Sequence, residues 1–285
     1  MDTIKNYINR LIEKGGPEPH EYDELNHIIT KVRPEEITEF RNILGPVLDK
    51  QTIQGWAFRK PYGYSGDHLM IEKIYEKQVS SDNKYKNWDL FFHEHPAPKA
   101  VRNRKRYFLS VLGNMDARTA KHILVLGCGP ATGIKEYLSA KPGSRFRFDL
   151  ADACNHAVRY AGEKLNGYTT RINLLHMNII KLRPQKKYDL IWSGGLFDYV
   201  KDKHFVRFLQ RYYGCLREGG EMIIGNFSHN NISRQYMEKV GDWYLRYRSV
   251  EDLTRLALEA GIEQENIQID SEDLGINLFM HLKKE

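Results

Sequence analysis

From His122 onward, short apolar runs alternate with amphipathic stretches, and that rhythm narrows the possible folds more than any other feature of the chain. HILVL at 122–126, FRFDLA at 146–151, INLLH at 172–176, YDLIWS at 188–193 and EMIIGNF at 221–227 read as strands. Helical patterns follow the first, second and fourth of them, and the third crossover is short. Strands separated by helices build a parallel sheet. After a helical stretch from Val250 to Ala260, NIQID at 266–270 and INLFMHL at 276–282 are joined by a short turn containing Gly275. So short a turn permits only antiparallel pairing, so these two are expected as a hairpin at the sheet edge. The fold class is therefore α/β: a doubly wound, seven-stranded, mostly parallel sheet with an antiparallel C-terminal hairpin, over residues 114–285.

Residues 1–113 carry a different texture. Ile4, Ile8, Leu11 and Ile12 recur at helical spacing before Gly15-Gly16-Pro17. Further apolar stripes run from Tyr22 to Val32, Ile37 to Leu48, Asp67 to Gln78 and Ala97 to Leu112. No strand pattern interrupts them, so this part is expected as an α-helical cap or lid domain.

At 285 residues, with 3 Cys and none in a CxxC pair, the chain needs neither a disulfide framework nor a zinc knuckle to fold. This usage fits a reducing cytoplasm, and no metal site is expected. The N-terminal MDTIKNYINRLIEKGG lacks the apolar core of a signal peptide, and no stretch is long and apolar enough for a membrane span. A net charge of +6 would suit a polyanion, yet Lys and Arg are scattered among acids. A homodimer is compatible with all of this.

The first strand runs straight into Gly127-Cys-Gly129-Pro-Ala-Thr-Gly133 and a helix. Glycine lets the backbone turn tightly and approach a ligand, and the helix start offers free amide donors. A plain strand-to-helix turn would look similar. The dinucleotide fingerprint places its third glycine where Thr132 stands; here Gly133 comes one residue later, which argues against a pyrophosphate ligand.

At these residues the sequence resembles the class I S-adenosylmethionine-dependent methyltransferases, whose first motif is a strand ending in GxG and whose sheet closes with an antiparallel seventh strand. The resemblance implies S-adenosyl-L-methionine as cofactor, with Gly127, Gly129 and Gly133 beside it. It further implies that Asp152, about twenty residues past the glycines, accepts hydrogen bonds from the ribose hydroxyls. Asp149 competes for that role, and helix capping by Asp152 is the plainer alternative. Asn178 matches the position facing the adenine amino group, where a loop residue of no special function would also fit. Ser193 and Gly194 begin the loop that holds the methionine end, and Asp198 and Tyr199 in the same loop are catalytic candidates. One departure is clear: the family commonly has an acid two residues before GxG, and this chain has Val125. Another group must therefore receive the methionine ammonium.

Two further segments are dense in polar and aromatic groups. Arg59-Lys-Pro-Tyr-Gly63-Tyr64-Ser-Gly66-Asp67 cannot be helical and is expected to fold over the cofactor, with Tyr64 near the sulfonium and Asp67 either capping the next helix or binding ligand. After the fifth strand, Asn226, Arg234, Tyr236 and Arg248 are candidate substrate residues. Arg234 and Arg248 would equally serve in salt bridges with Glu238 or Asp242, and Tyr236 and Trp243 in the core. RKPYGYSGD, GLFDY, NF, SRQYME and DWYLRYRS together resemble a bacterial subgroup that includes enzymes proposed to make 3-hydroxy fatty acid methyl esters as quorum signals.

The expected acceptor is thus a small molecule, its carboxylate first, because a carboxylate needs no general base. N-methylation of a small metabolite or amino acid is the alternative. A nucleic-acid substrate is disfavoured: SGGLFDY stands where amino-methylating enzymes have Asn or Asp before Pro-Pro-aromatic, and Cys128 is held inside the glycine loop. A silent S-adenosylmethionine sensor and a nicotinamide-linked oxidoreductase complete the rivals.

Overall fold

The computed structural model describes residues 2–285. The chain divides into two compact units: one holds the chain up to Val101 together with Asn231–Tyr244, the other Arg102–Asn230 with Leu245–Glu285. This differs from a split at 113/114 in two places. The division falls inside the helix Pro96–Asn114, and a stretch after the fifth strand belongs with the N-terminal helices.

The first unit is helical, as expected: α1 (Asp2–Glu13), α2 (Tyr22–Lys31), α3 (Ile37–Ile43), α4 (Ile53–Arg59), α5 (His68–Glu76), α6 (Asn83–Glu94) and the start of α7 (Pro96–Asn114). Thr52, Asp67 and Asp82 accept amide hydrogen bonds at the starts of α4, α5 and α6. The returning stretch is tied in by side chains. Lys239 Nζ donates to the carbonyls of Ile29 and Thr30 at 3.0 and 2.7 Å, and Arg41 donates to those of Glu238 and Lys239. Asp242 pairs with Arg41 and Lys60, and Tyr236 packs among Phe91, Phe92 and His95.

The second unit runs β1 (His122–Leu126), α8 (Thr132–Ala140), β2 (Arg147–Asp152), α9 (Asn155–Lys164), β3 (Ile172–His176), β4 (Tyr188–Ser193), α10 (Asp202–Tyr213) and β5 (Leu216–Phe227). After the short helix α11 (Arg234–Lys239) of the first unit, it closes with α12 (Val250–Glu259), β6 (Ile267–Ser271) and β7 (Asn277–Lys283). The sheet order is β3-β2-β1-β4-β5-β7-β6, with β1 to β5 parallel and β7 antiparallel to both β5 and β6. The hairpin therefore forms as expected, with β7 on the inside and β6 at the edge.

Alternation along each strand sends neighbours to opposite faces. Leu124 and Leu126 join α10 and α12 through Phe205, Leu209, Leu253 and Leu256. Ile123 and Val125 join α8, α9 and the end of α7 through Ile134, Ala161, Phe108 and Leu112. Each such fully buried side chain contributes roughly 1.5–3 kcal/mol relative to exposure. The two layers fix where the strands end, and the strand order reverses between β1 and β4. In open α/β sheets, ligands bind in the crevice beyond the strand ends at such a reversal.

Candidate functional site

The glycine loop is pinned to the end of β2 by Gly127 and Cys128, whose amides both donate to the Ala151 carbonyl at 2.8 and 3.2 Å. Gly127 and Gly129 have φ of +69° and +52°, a region that side chains disfavour. A Cβ on Gly129 would meet no atom within 4 Å, so the space beside it is open. Ala131, also at positive φ, precedes α8 and supplies no capping side chain, leaving the first helical amides without one.

Asp152 is buried at the end of β2. Its Oδ2 accepts from the Gly129 amide at 3.1 Å and its Oδ1 from the Cys154 amide at 2.9 Å. One carboxylate thus links both strand-to-helix turns, and two of its roughly four lone-pair sites remain for a ligand. Burial raises its pKa against these amides, which favour the charged form. Asp149 is excluded from the same role: it is buried in β2, accepting from Tyr188 Oη at 2.6 Å and from Asn173 and Lys186. Burial also raises the Cys128 thiol well above its ordinary range, which removes it as a nucleophile.

The end of β4 differs from expectation. Ser193 is fully buried and donates to the Leu126 carbonyl at 3.0 Å, tying β4 to β1 instead of facing a ligand. Beyond it, Gly194 and Gly195 lie against the guanidinium of Arg104, which the sequence reading did not single out; a Cβ on Gly195 would come within 2.5 Å of Nη1. Asp198 is buried, with Oδ1 accepting from the Phe227 amide at 2.7 Å and Oδ2 lying 3.9 Å from Arg104 Nη1. Burial pushes its pKa up to about 7, opposed first by the Arg104 charge. Tyr199 is exposed.

Several candidates have structural work instead. Asn226, fully buried, donates to the Phe227 and Arg246 carbonyls and accepts from Arg248. Arg248 is consumed by Phe197, Val200, Asn226 and Asp202, so it holds no anionic acceptor. Gly133 faces Phe108 and Lys105, so its missing side chain is explained by helix packing. Asn178 spends its Oδ1 on the Ile180 amide at 2.8 Å, a turn-forming contact in an exposed loop. Val125 points into the apolar layer with Phe108 and Trp192.

Arg234, Tyr236 and Tyr64 belong to the first unit. Arg234 pairs with Glu238 one helical turn on, at 2.8 Å. Tyr236 is buried, stacks on His95 with centroids 3.8 Å apart and donates to Gln54 at 3.3 Å, the core role weighed for it. Asp67 caps α5 through the Met70 amide and also accepts from Trp56 Nε1, while Tyr64 is half-buried. Among the described residues, no group of His, Cys, Asp and Glu could hold a metal ion, and no helix is long and apolar enough to cross a membrane.

Residues 123–220 match the family described as methyltransferase domain. That segment holds β1 to β4 and the start of β5, the part of the sheet that carries the glycine loop and Asp152. Two curated relatives come from Ilyobacter polytropus. Malonyl-[acyl-carrier protein] O-methyltransferase 1 is 32% identical over 108 residues, 38% of either chain. Malonyl-[acyl-carrier protein] O-methyltransferase 2 is 25% identical over 146 residues, 50% of this chain and 54% of the relative. The chain thus spans about half or less of their length. A solved structure of a possible exported protein from Bordetella parapertussis has the same fold, with a TM-score of 0.67 at 15% identity over 94% of this chain and 99% of that one. The open space at Gly129, the remaining acceptor capacity of Asp152 and the buried Arg104 would fit S-adenosylmethionine.

Proposed function

We propose that the chain methylates a small-molecule acceptor at a carboxylate oxygen. The observation that carries the donor side is Asp152: a buried carboxylate bridging Gly129 and Cys154, with acceptor capacity left over at the strand reversal. Asp152 would receive the ribose hydroxyls, Gly127 and Gly129 would let the backbone come close, and the loop at Asn178 would border the adenine. S-adenosylmethionine supplies a methyl group bound to an electrophilic sulfonium. The protein's own contribution is alignment and exclusion of water, and orientation of this kind supplies about 7–11 kcal/mol of a barrier.

Two observations favour a carboxylate acceptor. The curated relatives are O-methyltransferases of a malonyl thioester, whose free end is a carboxylate. In the β4 loop, Asp198 is buried and occupied by the Phe227 amide, so no exposed carboxylate base is offered there, and a carboxylate nucleophile needs none.

The test pairs binding with product chemistry. Calorimetry with S-adenosylhomocysteine should show uptake, and labelled S-adenosylmethionine offered with 3-hydroxy acids and malonyl thioesters should give a product that releases labelled methanol in mild base. A base-stable label on the same acids would place the methyl group on the hydroxyl as an ether and overturn the carboxylate reading. Absence of cofactor uptake would remove it.

A further inference from the structure

Arg104 is 7% exposed, yet among the described residues no acceptor lies within hydrogen-bond distance of its guanidinium. The nearest carboxylate, Asp198, stays at 3.9 Å and is itself satisfied on one oxygen by Phe227. A guanidinium has five donors and cannot shed its proton; Asp198 balances the charge from 3.9 Å without accepting a hydrogen bond, so the donors remain available to an incoming acceptor. The surrounding chain keeps room for it: a side chain on Gly195 would collide with Nη1 and crowd Cζ at 3.0 Å. Its place is equally specific. One turn along α7, Phe108 stacks on Trp192 of β4 at 4.7 Å and borders Gly133 at the start of α8. The guanidinium therefore lies beyond the end of β4, beside β1, where the strand order reverses.

We propose that Arg104 is the carboxylate receptor of this site. A planar, permanently charged fork pairs with a carboxylate through two parallel hydrogen bonds, a match that ammonium groups do not reproduce. Given the function proposed above, on which this rests, two carboxylates come here: the amino-acid end of the methyl donor and the reacting group of the acceptor.

The experiment titrates wild type, Arg104→Met and Arg104→Lys with S-adenosylhomocysteine, and with 5′-methylthioadenosine, which keeps the nucleoside thioether but lacks the amino-acid end. A third titration adds 3-hydroxyoctanoate to the S-adenosylhomocysteine complex. If the donor's carboxylate is the ligand, Arg104→Met weakens S-adenosylhomocysteine about 10- to 100-fold and leaves 5′-methylthioadenosine within about twofold. If the acceptor's is, both nucleosides bind unchanged and 3-hydroxyoctanoate is weakened by a similar factor. Arg104→Lys should recover only part of either loss. Equal losses for both nucleosides or unchanged binding of all three probes would each overturn the assignment. Wild type that binds neither nucleoside would sink the proposed function itself.

Discussion

Arg104 and Arg248 lie in the same unit, 7% and 3% exposed, and their surroundings have almost nothing else in common. Arg248 is saturated: Nη1 donates to Phe197 and Asn226, Nη2 to Val200 and Asp202, and its guanidinium lies over the Phe205 ring at 4.5 Å. Arg104 has only a distant carboxylate and two glycines that make way for it. A buried cation whose donors are all used holds the fold together. One whose donors are idle is available to a ligand, and the ledger of acceptors separates the two where burial alone does not.

The contrast breaks most easily at Arg248. Arg248→Met should leave the Phe197 and Val200 carbonyls and the Asn226 Oδ1 without their donor and lower stability by about 3–5 kcal/mol in urea unfolding; a loss below about 1 kcal/mol would mean that saturation says little about role. Next comes Asp198, which stands between the two arginines. Its pKa is about 7 when folded against a reference of 3.8, so its contribution to stability is fully present below about pH 4 and is lost as pH rises through 7. Asp198→Asn, which can still accept from Phe227, should therefore gain on wild type by up to about 1.4 kcal/mol per pH unit across that window. Parallel melting curves at pH 4 and pH 7 would contradict this.

At the ligand side of the contrast, Asp152→Ala should cost about 1.5–3 kcal/mol in S-adenosylhomocysteine affinity while leaving the far-ultraviolet dichroism intact. Gly195→Ala should push the Arg104 guanidinium aside and cost about 1–2 kcal/mol of the same affinity, with no effect on 5′-methylthioadenosine. The smallest effect belongs to Arg234→Ala: a half-exposed helix pair contributes about 0.3–0.5 kcal/mol, and cofactor binding should not change.

The sheet was legible because strand periodicity is local. The bounds of β1, β3 and β4 coincide with the apolar runs, and the hairpin followed from a turn too short for a crossover. The place of Asp152 beside the glycine loop was legible through its distance from the glycines, and Asp67 caps α5 for the same local reason. What failed depended on remote partners. Ser193, Asn226 and Arg248 look like ligand residues until the carbonyls of Leu126, Arg246 and Val200 arrive from other segments. Arg104 was missed because RNRKRY offers several cations that look alike in sequence. Lys105 pairs with Glu136 and Arg106 is largely exposed beside Asp273, and only the packed sheet distinguishes Arg104 from them. The stretch 231–244 misled for the same cause, since its anchors on Ile29, Thr30 and Arg41 are some two hundred positions away.

That returning stretch has a consequence for how the chain matures. The polypeptide passes between its two units three times, so neither can be released by a single cut. The carbonyls of Ile29 and Thr30 must wait for Lys239, and Phe91 and His95 for Tyr236, until most of the sheet has been synthesised. Helices that precede the sheet in the chain are therefore among the last parts to be finished.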